Sequence, residues 1–390
     1  MLPIFLITFV DLVGFGLLIP LLPFIVERSG VGPEVITIVL GLYSLAQLVA
    51  APLWGRLSDT WGRKPVLVIT SYGLALSYII VAFADDSLFW LIVSRVVGGI
   101  MAGNIGAAQA YMADITTPET RAKGMGMLGA AFGLGFIFGP AIGGVLGGND
   151  AATANFFIPS LVAAAITIVG ALGAQFGLKE SLSPEIRDAL ARRPKLKLGD
   201  KIRAAMSRKT LILLTLCGFL AVTAWAQFET IFALWAHAKL EYGPRDIGLL
   251  LTFIGVIGAI VQGGAIGKLT KKYGERKLAF TALLFLALGY IVLSFAFDLA
   301  TTLLASAILS IGSGLFNPTI SSLVSQEADD TERGAVMGAY QSATALSRIV
   351  GPAFSGVVFA SMGAVAPFLV AAALVIPAML LLSSVPKKAN

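Results

Sequence analysis

The chain has 390 residues, 57% of them hydrophobic and 13% charged, with a formal net charge of +6. A soluble domain carries about a quarter charged residues, so this much apolar sequence excludes a protein surrounded by water alone. The single cysteine, Cys217, excludes an internal disulfide, and the distribution of the basic excess, described below, argues against nucleic acid as a partner.

Apolar runs of about 20 residues, each long enough to cross a bilayer as a helix, predict twelve spans. They fall at roughly 2–27, 35–55, 65–84, 88–112, 122–147, 155–178, 210–237, 246–267, 277–297, 300–325, 334–360 and 364–384. The first starts at Met1 without a basic n-region or a clear cleavage site, so it reads as a retained helix. It carries Asp11, Gly14, Gly16 and Pro20; Pro20 has no N–H for the carbonyl of Gly16, which predicts a kink with a free carbonyl.

The second span carries Gln47 and runs into "GRLSDTWGRKP" at 55–65. Here Gly55 and Gly62 suit a tight turn and close helix approach, and Asp59 and Arg63 stand four apart in a charged loop that also holds Lys64. The plainer reading of that loop is orientation alone. The fourth span holds Arg95, Asn104 and Gln109, with Asp114 at its end. The fifth holds "GLGFIFGPAIGG" at 133–144, where Gly133, Gly135, Gly139, Gly143 and Gly144 let neighbouring backbones approach and Pro140 bends the helix. Residues 179–209 carry ten basic and four acidic side chains. They read as a polar, partly helical linker at the anionic inner leaflet. It separates an N-terminal six-helix bundle, 1–178, from a C-terminal one, 210–390. The seventh span holds Gln227 and Glu229 and ends near His237, an interfacial position. Gln262, Asn317 and the pair Gln341 and Arg348 follow in spans eight, ten and eleven. The uncharged polar residues line a cavity or bridge helices.

Asp11, Arg95, Glu229 and Arg348 lie inside spans, where a lipid-facing charge costs about 2.5–3.5 kcal/mol. Each is expected to face a cavity or a partner. Glu229 and Arg348 differ in depth by ~5 Å, within reach of one another. They are expected to pair, as part of a coupling site or as a static structural contact. Asp11 and Arg95 differ by ~10 Å, so Arg95 is expected to cap the kinked first helix instead. That leaves Asp11 as a carboxylate without a cation. Burial disfavours its charged form, and an acid that exchanges protons at cavity depth is what proton coupling needs. A solvated aspartate near a wide inner vestibule is the alternative.

Connections after the odd-numbered spans carry only Arg28, Lys239 and Arg245 of the basic residues, whereas those after the even spans are basic. Positive loops stay cytoplasmic, which places both termini inside. The stretch "GKLTKKYGERK" at 267–277 repeats 55–65 at an offset of 212 residues, and the same offset relates Arg121, Met125 and Gly126 to Arg333, Met337 and Gly338, and Gly139, Pro140 and Gly144 to Gly351, Pro352 and Gly356. Each half has an even number of spans, so the repeat is parallel. Two such halves rocking about a midplane site is alternating access.

"GRLSDTWGRKP" resembles the signature loop between the second and third helices of the major facilitator superfamily. With "DLVGFGLLIPLLP", "RVVGGIMAGNIGAAQAYMADIT", "GLGFIFGPAIGG" and "SRIVGPAFSG" the chain is similar to the tetracycline/proton antiporter branch of the drug exporters along nearly its whole length. The resemblance implies an all-α membrane protein, twelve helices in two six-helix halves. It implies that Gly55, Asp59, Gly62, Arg63, Lys64 and Asp114 form a cytoplasmic gate. It implies that the glycines around Pro140 mark an antiporter and seal the interface between halves, and that the acid of helix one serves substrate and proton. The branch's Gln in span two is matched by Gln47. Its His and Asp in spans eight and nine are replaced by Ile257 and Leu286, which argues against tetracycline itself. The copy at 267–277 has Lys271 in the place of Asp59 and is expected to orient more than to latch.

The expected function is therefore proton-coupled export of amphipathic, drug-like small molecules across a bacterial cytoplasmic membrane by a monomer. Asp11 and Glu229 are the proton-coupling acids, and Arg95, Arg348, Gln47, Asn104, Gln109, Gln227, Asn317 and Gln341 the cavity residues. No nucleotide-binding loop, metal-ligand cluster or nucleophile–base pair is present in the sequence, so no enzyme activity and no cofactor is expected, and the energy is expected from an ion gradient. A carrier of a physiological solute (sugar, amino acid or lysolipid) and a non-transporting scaffold or receptor are the alternatives.

Overall fold

The computed structural model describes residues 1–183, 208–328 and 333–386; most of the charged segment 179–209 lies outside the described residues. Among those described, helices are the regular structure: eleven are long and apolar enough to cross a membrane, and a bent pair brings the number to twelve.

That bent pair is the first span. Helices α1 (Leu2–Leu18) and α2 (Leu22–Arg28) meet at 44° around Pro20. Contrary to the sequence expectation, the carbonyl of Gly16 is not free. It accepts the N–H of Ile19 at 3.2 Å, a tighter closing turn that satisfies it without the missing proline donor.

Helices α3 (Pro33–Trp61) and α4 (Arg63–Ala82) are separated by one residue, Gly62, with φ of 115°, a conformation that glycine adopts without steric cost. The expected loop is thus mostly helix. Gly55 and Asp59 lie within α3, and nothing stands within 4 Å of a Cβ placed on Gly55, so its expected close approach is not made.

The fourth span breaks at Gly103 between α5 (Leu88–Ala102) and α6 (Ile105–Asp114). A Cβ on Gly103 would stand 2.9 Å from the backbone N of Ala51. Carbonyls at the break accept side chains of α3: Gln47 Nε2 donates to Ala102 O at 3.0 Å and Trp54 Nε1 to Ile100 O at 2.7 Å. Asn104 Nδ2 donates to Thr70 Oγ1 on α4 at 2.7 Å. Gln47 and Asn104 therefore act as helix bridges. Helices α7 (Pro118–Gly147) and α8 (Phe157–Gly177) complete the first six spans.

The second six begin with α9 (Lys209–Leu240). The eighth span follows as α10 (Pro244–Ile260), a π-helical turn at Val261–Ala265 and α11 (Ile266–Tyr273). Then come α12 (Glu275–Ser294), α13 (Leu299–Glu327), α14 (Arg333–Met362) and α15 (Ala366–Ser383). Gly274, with φ of 76°, separates α11 from α12 as Gly62 separates α3 from α4.

The helices gather into two compact units, Met1–Pro194 with Glu241–Gly255, and Lys195–Leu240 with Val256–Asn390. In the first, α1 packs on α7 and α8, α4 on α5 and α8, and α3 on α5. In the second, α9 packs on α14 and α15, and α12 on α13 and α15. Four of the five pairs of the first unit have their equivalents among these, so the offset seen in the sequence is a repeat of packing.

Candidate functional site

The charged stretch after span two builds a compact cluster in the first unit. Arg63 opens α4, and its side chain is only 5% exposed. Its guanidinium pairs with Asp59 one turn back on α3, donates Nε to Asp114 Oδ2 at 3.2 Å, and donates Nη1 to Ser58 Oγ at 2.8 Å. A buried arginine needs such multiple partners. The α4 N-terminus is held by Glu180, whose carboxylate accepts the backbone N–H of Arg63 at 2.9 Å and of Lys64 at 3.2 Å. This is favourable charge placement at a helix N-terminus. Ser181 Oγ then donates to Asp114 Oδ2 at 3.0 Å. Asp59, Arg63 and Asp114 come together as the sequence led us to expect; Ser58, Glu180 and Ser181 were missed. Glu180 was readable as an acid two residues past a span end.

The repeat stretch in the second unit makes its own polar contact. Glu275, at the position of Arg63, accepts Gln326 Nε2 at 3.0 Å, and Gln326 stands at the position of Asp114. The charge is inverted and the partner is neutral, so the ion-paired cluster of the first unit is not repeated in this contact.

Asp11 lies on α1 against α4 and α8. Ser71 Oγ donates to its Oδ2 at 2.9 Å, and its Oδ1 is buried with no hydrogen-bond partner. One turn along, a Cβ on Gly14 would stand 2.7 Å from Thr167 Oγ1 and 3.0 Å from Tyr78 Cε2. The hydroxyls of Thr167 and Tyr78 are buried and unpartnered too. Asp11 therefore sits in a polar seam within the helix bundle rather than in open solvent. Arg95 is 2% exposed; its Nε reaches Ser94 Oγ at 3.4 Å, and its guanidinium lies 5.9 Å from the centre of the Tyr43 ring. The expected cap on the first helix is not made: Arg95 lies against a tyrosine ring, with Nη2 unpartnered.

In the second unit Arg348 Nη1 donates to Glu229 Oε2 at 3.4 Å, the pair suggested by matched depth. Trp225, one turn before Glu229 on α9, donates Nε1 to Glu229 Oε1 at 2.7 Å. Gln227 is 0% exposed with both amide atoms unpartnered, so it faces the bundle interior rather than a cavity. Gln109, Asn317 and Gln341 are exposed.

The glycines of α7 divide by face. Gly135, Gly139 and Gly143 stack on α1: a Cβ on Gly139 would stand 2.7 Å from Gly16 Cα, and one on Gly143 would overlap the backbone of Leu17. Pro140 Cδ lies 3.2 Å from a Cβ placed on Gly16. Gly144 faces α10, 2.9 Å from Gly248 Cα by the same measure. Gly133 meets nothing within 4 Å, so it takes no part in the close contact expected of all five. No group of three or more potential metal ligands occurs among the described residues.

A family model for the Major Facilitator Superfamily matches residues 4–266 and again 214–390. Multidrug resistance protein 2 of Bacillus subtilis (strain 168) is 30% identical over 353 residues, covering 90% of this chain and 86% of its own. The class C tetracycline resistance protein of Escherichia coli is 30% identical over 360 residues, covering 90% and 87%. Among solved structures, the human organic anion transporter MFSD10 (TETRAN) superimposes with a TM-score of 0.73 at 26% identity, covering 97% of this chain and 98% of that one. The nucleoside transporter NupG gives 0.82 at 14% identity, covering 99% of both, a likeness of fold alone.

Proposed function

This chain belongs to the Major Facilitator Superfamily, and from that premise we propose that it is a proton-coupled antiporter that exports amphipathic small molecules. That it is a secondary transporter, an integral membrane protein and not an enzyme follows from the family; the coupling ion, direction and substrate class are our reading. The observation that carries it is Asp11, a carboxylate within the first span with one oxygen on Ser71 and the other buried and unpartnered. With no cation beside it, protonation removes the desolvation cost of its charge, and opening to either side exchanges the proton. The relatedness to multidrug and tetracycline resistance proteins supports export of drug-like compounds.

In this reading the Asp59–Arg63–Asp114 cluster holds the cytoplasmic ends of spans two, three and four together while the inner gate is shut. The protein sits in a bacterial cytoplasmic membrane with both termini inside. It works as a monomer of two six-helix halves, 1–178 and 210–390, joined by 179–209. Transport by purified protein in liposomes under an imposed pH gradient tests the reading. Gradient-driven accumulation of amphipathic compounds is expected; accumulation of sugars, amino acids or lysolipids instead would transfer the function to a physiological solute.

A further inference from the structure

We propose that Arg348 is the docking point for the substrate's charged group, so that the compounds carried are amphipathic organic anions, and that the anion takes Arg348 from Glu229. The inference deepens the reading above and rests on its premise that the chain carries amphipathic molecules, but not on proton coupling.

Four ionisable residues lie inside the spans, and they differ sharply in accessibility. Arg95 is buried, and Asp11 has one oxygen on Ser71 and the other sealed inside the bundle. The Arg348 side chain is 50% exposed and that of Glu229 34%. A charge open to its surroundings at this depth faces water, because facing lipid is costly.

The pattern of α14 supports that placement. At about 100° per residue, Gln341 and Arg348, seven apart, share one side of the helix, and both are exposed. Leu346, Val350, Phe354 and Val357 are exposed as well, and they fall on the opposite side. Ser347 and Tyr340 lie between these stripes and are buried; Ser347 Oγ donates to Phe219 O of α9 at 2.9 Å. The helix thus has an apolar side for lipid, a packed side on α9, and a polar side for water, and Arg348 is the cation on the polar side.

Its hold on Glu229 is loose. The contact is a single bond at 3.4 Å, at the long end of the hydrogen-bond range and without the two-pronged geometry that arginine makes with a well-fitted carboxylate. Among the described residues Glu229 is its only hydrogen-bond partner. Glu229, in contrast, keeps the Trp225 indole at 2.7 Å if Arg348 turns away. An incoming carboxylate or sulfonate can therefore take both prongs of the guanidinium without leaving Glu229 bare. The Trp225 ring, 5.1 Å from that of Phe228, supplies an apolar wall beside the charge for the rest of an amphipathic molecule.

The test is binding to purified protein, without any gradient, of three matched probes: naphthalene-2-carboxylate, naphthalene-2-carboxamide and 2-naphthylmethylammonium. We expect the carboxylate to bind at least about tenfold more tightly than the carboxamide. Arg348→Gln is expected to erase that difference, and Glu229→Gln to tighten carboxylate binding several-fold by removing the internal competitor. If Arg348→Gln does not fold, Arg348→Lys keeps the preference for the anion, and Glu229→Gln still carries the opposite-direction result. A carboxylate no better than the carboxamide, a preference for the ammonium that Glu229→Gln abolishes, or weaker carboxylate binding in Glu229→Gln would each overturn the proposal. Anion binding as expected, together with transport that ignores a pH gradient, would leave this inference standing and remove proton coupling.

Discussion

A buried arginine and a half-exposed one do different work in this chain. Arg63 is enclosed by Asp59, Asp114 and the Ser58 hydroxyl, and its loss leaves two carboxylates facing one another. Arg348 holds one carboxylate in an open position, where an ion pair is worth ~1 kcal/mol or less. A double-mutant cycle with Glu229→Gln and Arg348→Gln is expected to give a coupling of about 0.5 kcal/mol in thermal stability; additive effects would show that the two side chains do not interact. Glu180 offers a second residue-scale test. It accepts the first two N–H groups of α4, and Glu180→Ala is expected to cost about 1 kcal/mol in thermal unfolding, within the range for a lost helix cap. Asp59 and Arg63 were legible from their spacing beside a glycine turn, whereas Asp114 entered the cluster only through the family resemblance. It did not show Ser71 or Trp225 as partners, since a serine or tryptophan in a span carries no mark of what it will bond.

At the scale of elements, the glycine stripe of α7 decides how closely the first and fifth spans approach. Gly143 has no room for a side chain against Leu17, whereas Gly133 stands in open space. Gly143→Ala is expected to destabilise by about 1–3 kcal/mol through overpacking. Gly133→Ala is expected to be neutral or to stabilise by up to about 1 kcal/mol, since alanine favours helix. Equal losses in thermal unfolding for the two would show that the stripe does not set the packing. The five glycines look alike in sequence; only the helix face separates them, and a face needs a neighbour to define it. The breaks in spans one and four were legible in part. Pro20 marked the first, but the closing turn that satisfies Gly16 O did not follow from proline chemistry. At the Gly103 break Gln47 and Trp54 reach carbonyls of α5; Gln47 reads as a cavity residue until α3 is placed beside α5.

For the whole molecule, composition and the 212-residue offset sufficed for the fold, because an apolar chain in lipid has few options besides helices and a repeat of sequence became a repeat of packing. The proposed transport cycle assigns roles to Asp59 and Asp11. Asp59→Asn removes one carboxylate from the gate cluster while Asp114 remains on Arg63; it is expected to cut transport several-fold at normal expression and insertion, and transport at the wild-type rate would remove the cluster from the cycle. That Asp11 carries the coupled proton is tested by substrate movement in liposomes with and without a pH gradient, comparing wild type with Asp11→Asn. Asparagine holds the position permanently uncharged and close to the same shape. The variant is expected to lose uphill, proton-driven accumulation while retaining downhill exchange. If Asp11→Asn still concentrates substrate against its gradient when driven by protons, the claim is contradicted, and the coupling role passes to Glu229.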